Sequence, residues 1–229
     1  MINFNRIAQY TNTGIAQMKI AVIGSGNVCS NLANLFILAH HQVVLGSRDA
    51  NKAKELAEPL GKNASGTTYA EAVVDADVIV IATPWSNNVT KDVIVELGDL
   101  SGKIVIDCTN PLVPDYMSNT LGHPISSAEE IAKLIPGAKI VKAFNTIFAE
   151  VMASGKQTFG EHKGTGFYCG DYPEAKDVVA KLIQDAGFEP VDAGVLKNAR
   201  YLEAMAQLNL QIAYGLRGGT DVGFRYMRR

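Results

Sequence analysis

The sequence is poor in cysteine: Cys29, Cys108 and Cys169 are the three in 229 residues, an odd number with no Cys-x-x-Cys spacing. That excludes a disulfide framework and a cysteine zinc site, and it predicts a reducing, cytoplasmic setting. Histidine is nearly as scarce, with four residues. His40-His41 closes a helical segment where a cation suits the helix dipole, so surface positions are expected for the pair. His123 and His162 stand alone in loops, and no metal site is expected. Long apolar runs are missing too. Val78–Ala82 with its flanks falls far short of the roughly 18 residues of a membrane span, and residues 1–17 lack the apolar stretch of a signal peptide. Nor is there an excess of one charge. Lys plus Arg number 21 and Asp plus Glu 23, a formal net charge of −2, which gives no electrostatic footing for nucleic acid. The expected protein is soluble, with a small molecule as partner and neither nucleic acid nor membrane.

What the chain does contain is apolar material: hydrophobic residues make up 47% and charged residues 19%. That suffices for a packed core of one α/β domain with a short addition. Lys19–Ile23 is a β-branched run ended by glycine, as a buried parallel strand is. Asn27–His40 follows at helical spacing, then a strand over Gln42–Leu45 stopping at Gly46, and a polar-faced helix over Asn51–Leu60. Further strands are expected at Asp77–Ala82, Lys103–Asp107 and Lys139–Ala143, with helices at Val89–Leu97 and Ser126–Ile135, the latter opened by a Ser126/Glu129 capping box. This alternation predicts a Rossmann-type doubly wound parallel sheet. After residue 150 the rhythm loosens into strands at Thr165–Cys169 and Glu189–Asp192, a helix at Glu174–Ala186 and a closing helix over Lys197–Tyr214. The expected division is an arm over 1–17, a nucleotide-binding domain over 18–150 and a small C-terminal α/β extension over 151–229.

The first strand runs into Gly24-Ser25-Gly26-Asn27-Val28-Cys29 and then a helix. In that strand–turn–helix context Gly24 permits a tight turn, and Gly26 lets a pyrophosphate approach the backbone. The helix N-terminus offers free N–H groups to the anion. Small Cys29 takes the third position, where helix and strand pack closely. An NAD site would place Asp or Glu at the end of the second strand. Here Gly46-Ser47-Arg48 stands there, with Lys52 one turn later. A hydroxyl, a guanidinium and an ammonium together suit the 2′-phosphate of NADP. Asp49 is the dissenting charge, but it can cap the following helix.

Ligands of such sheets lie beyond the carboxyl ends of the strands. Three segments end there: Ala82-Thr83-Pro84-Trp85, Cys108-Thr109-Asn110-Pro111 and Phe144-Asn145-Thr146. Ala82, Thr83, Pro84 and Trp85 are candidates for the nicotinamide side, and Asn110 and Asn145 for the carboxamide or the substrate. Asn145 and Thr146 are also the nearest candidates for a catalytic role. Thr83-Pro84 and Asn110-Pro111 are equally good turn formers, and that alternative stays open. Tyr172 and Lys176 form a Tyr-x-x-x-Lys pair, but Pro173 between them marks a first helical turn far from the expected site. Arg217, Arg225, Arg228 and Arg229 fit an anionic cofactor, a solvated tail or a contact between copies.

The runs MKIAVIGSGNV, LGSR, VIVIATPW, KIVIDCTNPL and KIVKAFNTI together resemble the NADP-dependent coenzyme F-420 reductase family. The sequence is also similar to the cytosolic reductase domain of the six-transmembrane metalloreductases, and the KAFNT run lies nearer that branch. The likeness covers residues 18–229. It implies an NADP-binding fold, commonly dimeric, that passes hydride between NADP(H) and a flavin or deazaflavin such as coenzyme F-420. Carried over by position, Ser25, Asn27 and Val28 would contact phosphates, Ser47, Arg48 and Lys52 the 2′-phosphate, and Thr83, Pro84 and Trp85 the nicotinamide side. Without an apolar span, a haem-linked membrane part is not expected. Cys29 and Asn145 depart from the family pattern, which leaves the acceptor open. Hydride transfer between rings needs little protein acid–base chemistry, so the lack of a catalytic triad is in keeping. Two rivals stand beside this reading. A pyrroline-5-carboxylate or hydroxyacid reductase would need a long helical C-terminal region. A non-catalytic NADP(H) sensor would lack a second open pocket beside the nicotinamide.

Overall fold

A computed structural model of the chain describes residues 17–113, 120–121 and 124–229. The expectations for an arm over 1–17, apart from Gln17, and for His123 lie outside these residues. Eight strands form one sheet in the order β10-β9-β6-β5-β4-β1-β2-β3. They are β1 (Lys19–Ile23), β2 (Gln42–Ser47), β3 (Ala64–Thr68), β4 (Val78–Ile81), β5 (Ile104–Asp107), β6 (Lys139–Ala143), β9 (Thr165–Gly170) and β10 (Glu189–Asp192). A two-stranded hairpin, β7 (Thr158–Phe159) with β8 (His162–Lys163), stands apart. The order 3-2-1-4-5-6 reverses direction between β1 and β4, the switch point where open α/β sheets bind ligands.

Period-two alternation divides the core into two layers. Ile20, Val22, Val78, Val80, Ile104 and Ile106 face α1 (Asn27–Leu38) and α7 (Pro173–Asp185). Ala21, Ile23, Ile79, Ile81 and Val105 face α3 (Tyr69–Val73), α4 (Val89–Leu97), α5 (Ser127–Leu134) and α8 (Ala199–Leu210). The remaining helices are α2 (Ala50–Ala57) and α6 (Ala149–Ala153).

The structure departs from the sequence reading at definite places. β3 and α3 occupy residues left unassigned. Ala-Ser-Gly-Thr-Thr has no apolar alternation, and this edge strand forms because β2 offers it a parallel ladder. Gly66 is needed there, since a Cβ would run into the backbone of Ala53 and Lys54. Second, the sheet is not wholly parallel: β9 runs antiparallel to β6, with Val141 opposite Gly170. Strands from both sides of residue 150 therefore share one sheet. Third, the closing helix is α-helical only from Ala199 to Leu210, followed by a π turn over Gln211–Gly215.

The expectation for His41 is corrected as well. His40 is exposed, but His41 is fully buried. Its Nδ1 accepts the Met18 N–H at 3.2 Å, and its Nε2 meets Asp185 at 3.2 Å. The ring ties the start of β1 to the end of α7, a role for an imidazole that only the fold supplies.

Candidate functional site

The loop after β1 is shaped by two glycines for different reasons. Gly24 donates its N–H to Gly46 O at 3.0 Å and has φ +140°, a conformation L side chains rarely adopt. A Cβ there would stand 2.7 Å from Ala82 O, so glycine is what lets β1, β2 and β4 end together. Gly26 has ordinary extended backbone, and a Cβ on it would meet nothing within 4 Å. That space lies before the N-terminus of α1, whose N-cap Gly26 supplies no side-chain cap. Open room in front of uncapped N–H groups is what a phosphate requires. Cys29 holds the loop from beneath, its thiol donating to Gly24 O at 3.1 Å. Burial pushes that thiol up to about 12, so it is a packing residue.

At the end of β2 the charges separate cleanly. Asp49 Oδ1 accepts from Asn51 N at 2.9 Å and Lys52 N at 3.5 Å, so its carboxylate caps α2. Among the described residues no carboxylate pairs with Arg48 or Lys52. Ser47 is buried beside them, and Tyr69, which sequence reasoning missed, closes the corner.

Gly24, Ser25, Gly26, Asn27, Val28, Ser47, Arg48, Lys52, Ala82, Thr83, Pro84, Trp85 and Asn110 line one continuous cleft of about 700 Å³. Thr83 Oγ1 is bonded to Thr90 Oγ1 at 2.9 Å, and Thr90 donates to Pro84 O at 2.9 Å. This pins the segment after β4 to α4. Lys91 stands 5.7 Å over the Trp85 ring.

Asn145 lies outside this cleft. With Thr146, Ala206, Asn209, Leu210 and Tyr214 it lines a second cavity of about 270 Å³. The two spaces share Val28, Asn110 and Leu112. The chain is turned toward this cavity by Phe144, a buried aromatic residue at φ +63°, a conformation costly for a bulky side chain. Phe36 holds the Phe144 ring edge-on, centroids 6.1 Å apart. Asn110 and Asn145 clasp each other: Asn110 Nδ2 donates to Asn145 O at 2.9 Å, and Asn145 Nδ2 to Asn110 Oδ1 at 3.0 Å.

Beneath the clasp lies a charge cluster that sequence reasoning missed. Lys142 Nζ is fully buried and donates to Asp107 Oδ2 at 2.8 Å, Glu203 Oε1 at 2.9 Å and Ser127 Oγ at 2.8 Å, and also to Thr109 O. Burial pulls the lysine pKa down, but the two carboxylates raise it by more, so it stays charged. Lys142 in KIVKA and Asp107 in IVID were the available signal, each a charge on the side of its strand that faces α5 and α8. Their partner Glu203 lies about sixty residues beyond Lys142 and could not be paired with it from the sequence.

The decoys lie elsewhere. Tyr172 and Lys176 sit at the start of α7, where Lys176 pairs with Asp192 at 2.9 Å. Arg225 and Arg228 line a groove beside β10 and reach neither cavity. Among the described residues no cluster of His, Cys, Asp and Glu is placed to hold a metal, and no helix is long and apolar enough to cross a membrane.

Residues 19–111 match the family model described as NADP oxidoreductase, coenzyme F420-dependent. The F420-dependent NADP reductase of Methanothermobacter marburgensis is 30% identical over 217 residues, covering 87% of this chain and 95% of that one. Metalloreductase STEAP3 of Rattus norvegicus is 31% identical over 188 residues. The match spans 82% of this chain but about a third of the metalloreductase, 36%. A crystal structure from Arthrobacter sp. FB24, proposed to be an F420-dependent NADP reductase, superposes with TM-score 0.82 at 26% identity, covering 92% of this chain and all of that one. With a relative matched along nearly its whole length, a glycine loop open to phosphate and a corner where, among the described residues, Arg48 and Lys52 pair with no carboxylate while Asp49 caps α2, the chain belongs to the coenzyme F420-dependent NADP oxidoreductase family.

Proposed function

We propose that this protein transfers hydride between NADP(H), bound along the cleft from Arg48 to Trp85, and a flavin or deazaflavin ring in the cavity beside it. The residues fit the nucleotide. Gly26 leaves room for the pyrophosphate, Ser47, Arg48 and Lys52 are the receptor for the 2′-phosphate, and the segment after β4 borders the nicotinamide end. The nicotinamide supplies the hydride; the protein's part is to bind both rings, orient them and exclude water.

The observation that carries the reading is the second cavity, which meets the cleft at Val28, Asn110 and Leu112. A redox sensor has no use for a second ring-sized space at that end. A pyrroline-5-carboxylate or hydroxyacid reductase would need a long helical C-terminal region, whereas α8 and its π turn are the helical segments after Asn198. The test mixes protein and NADPH with FMN, FAD, coenzyme F-420, small imines and ketones, and follows the nicotinamide absorbance. Oxidation by a flavin-type ring is expected. Turnover with imines or ketones alone, or tight NADPH binding with no acceptor reduced, would overturn the proposal.

A further inference from the structure

Thr109 is buried in the wall of the cleft, and every polar group it has is held. Its N–H donates to Asp107 Oδ1 at 2.8 Å, its hydroxyl donates to Ser127 Oγ at 2.9 Å, and its carbonyl accepts from Lys142 Nζ. Four elements stand behind these three bonds. Asp107 ends β5, Lys142 lies in β6, Ser127 opens α5 and Glu203 comes from α8. Glu203 Oε1 closes the set, accepting from Ser127 N at 2.9 Å, Ser127 Oγ at 2.6 Å and Lys142 Nζ at 2.9 Å. Asp107 spends one oxygen on Thr109 N and the other on the ammonium, at 2.8 Å. Stability alone does not call for such an arrangement, since well-packed apolar side chains in place of a buried ion pair are often neutral or stabilising. Apolar side chains would fill the space but leave the Thr109 N–H and carbonyl without partners. What the charges add is the direction the chain takes out of β5.

Resting on the cofactor placement above, we propose that Lys142, Ser127 and Glu203 are positioning residues for the nicotinamide end of NADP(H), acting through Thr109. None of the three lines the cleft, whereas Cys108, Thr109 and Asn110 do. Asn110 also lines the second cavity, so this stretch of wall stands at the nicotinamide end. The cluster fixes that wall before the cofactor arrives, and the ring meets a surface already in its final place. The opposite end of the cleft is built separately, where β2 gives way to α2. Loosening the cluster therefore frees the nicotinamide and leaves the grip on the 2′-phosphate intact.

The test compares the two halves of the cofactor. 2′,5′-ADP carries the adenosine and the 2′-phosphate without a nicotinamide, and NADPH reports on its own nicotinamide through a fluorescence lifetime that lengthens when the ring is held. Ser127→Ala removes the hydroxyl beneath Thr109 and leaves the lysine paired with both carboxylates; Lys142→Met removes the ammonium. In both variants the lifetime of bound NADPH is expected to fall at least halfway back to that of the free cofactor. The NADPH Kd should rise about threefold to tenfold, the effect of one hydrogen bond, while that of 2′,5′-ADP stays within about twofold. A merely structural cluster would move neither the lifetime nor the ratio of the two constants. Ser127→Ala carries the test if Lys142→Met does not fold. A long lifetime retained in Ser127→Ala, or equal losses of NADPH and 2′,5′-ADP affinity, would overturn the proposal. If NADPH bound to the unaltered protein keeps the lifetime of the free cofactor, the placement of the nicotinamide falls first, and the proposal with it.

Discussion

Replacing Lys142 by methionine removes the single cation from a buried cluster and leaves Asp107 and Glu203 facing each other. Both carboxylates are at most 1% exposed, and their contacts to Lys142 are 2.8 and 2.9 Å. Breaking a buried pair by deleting one partner typically destabilises by about 3–5 kcal/mol, because the remaining charge has neither water nor a counterion. Here two charges are stranded, so the upper part of that range applies. For a chain of this length 1 kcal/mol shifts Tm by about 2–4 °C, so a loss of about 4–5 kcal/mol translates to a fall of roughly 8–20 °C. The loss is present at neutral pH. The lysine's pKa lies above its ordinary 10.5, so its contribution is complete below that value and fades only as pH rises through the elevated one. Urea unfolding of Lys142→Met, Glu203→Gln and the double variant measures the coupling. Removing Glu203's charge should harm the methionine protein less than the parent, by about 1–3 kcal/mol. A Lys142→Met protein within about 1 kcal/mol of the parent, or strictly additive effects, would refute the idea that this cluster is held by its charges.

Arg48→Ala should weaken NADPH binding by about 1.5–3 kcal/mol, the worth of a hydrogen bond to a charged group, and leave NADH binding nearly unchanged; equal losses measured by fluorescence titration would remove the 2′-phosphate assignment. The two loop glycines should separate. Gly24→Ala, strained at φ +140° and crowded by Ala82 O, should destabilise by about 1–3 kcal/mol. Gly26→Ala, which meets no protein atom within 4 Å, should keep its Tm yet lose NADPH affinity about tenfold or more. Arg200 donates to Glu129 at 2.8 and 2.6 Å and holds its pKa down from 4.5 to about 2. The stability this pair supplies is present above pH 4.5 and lost as pH falls through about 2. The gap in urea midpoint between the parent and Arg200→Met should therefore narrow on acidification, and a gap independent of pH would contradict it.

Much of this protein is local physics and legible without coordinates. β-branched runs ending at glycine are buried parallel strands, and β1, β6, β10 and α4 lie where pattern alone puts them. The glycine loop after β1 and the Ser47-Arg48-Lys52 corner are likewise each set by a single strand–turn–helix unit, and their residues line one cleft. Other features are sums over elements far apart in the chain. β3 forms on the ladder that β2 offers, not on its own propensity. His41 is buried because α7 lays Asp185 against it, and a dipeptide at the end of a helix carries no sign of that. The second cavity exists only once α8 folds back over the ends of β5 and β6. There a lysine in one strand, an aspartate in another and a glutamate some sixty residues later become one charge cluster. Turn chemistry and periodicity act between near neighbours, whereas burial is decided by whatever the whole chain brings together.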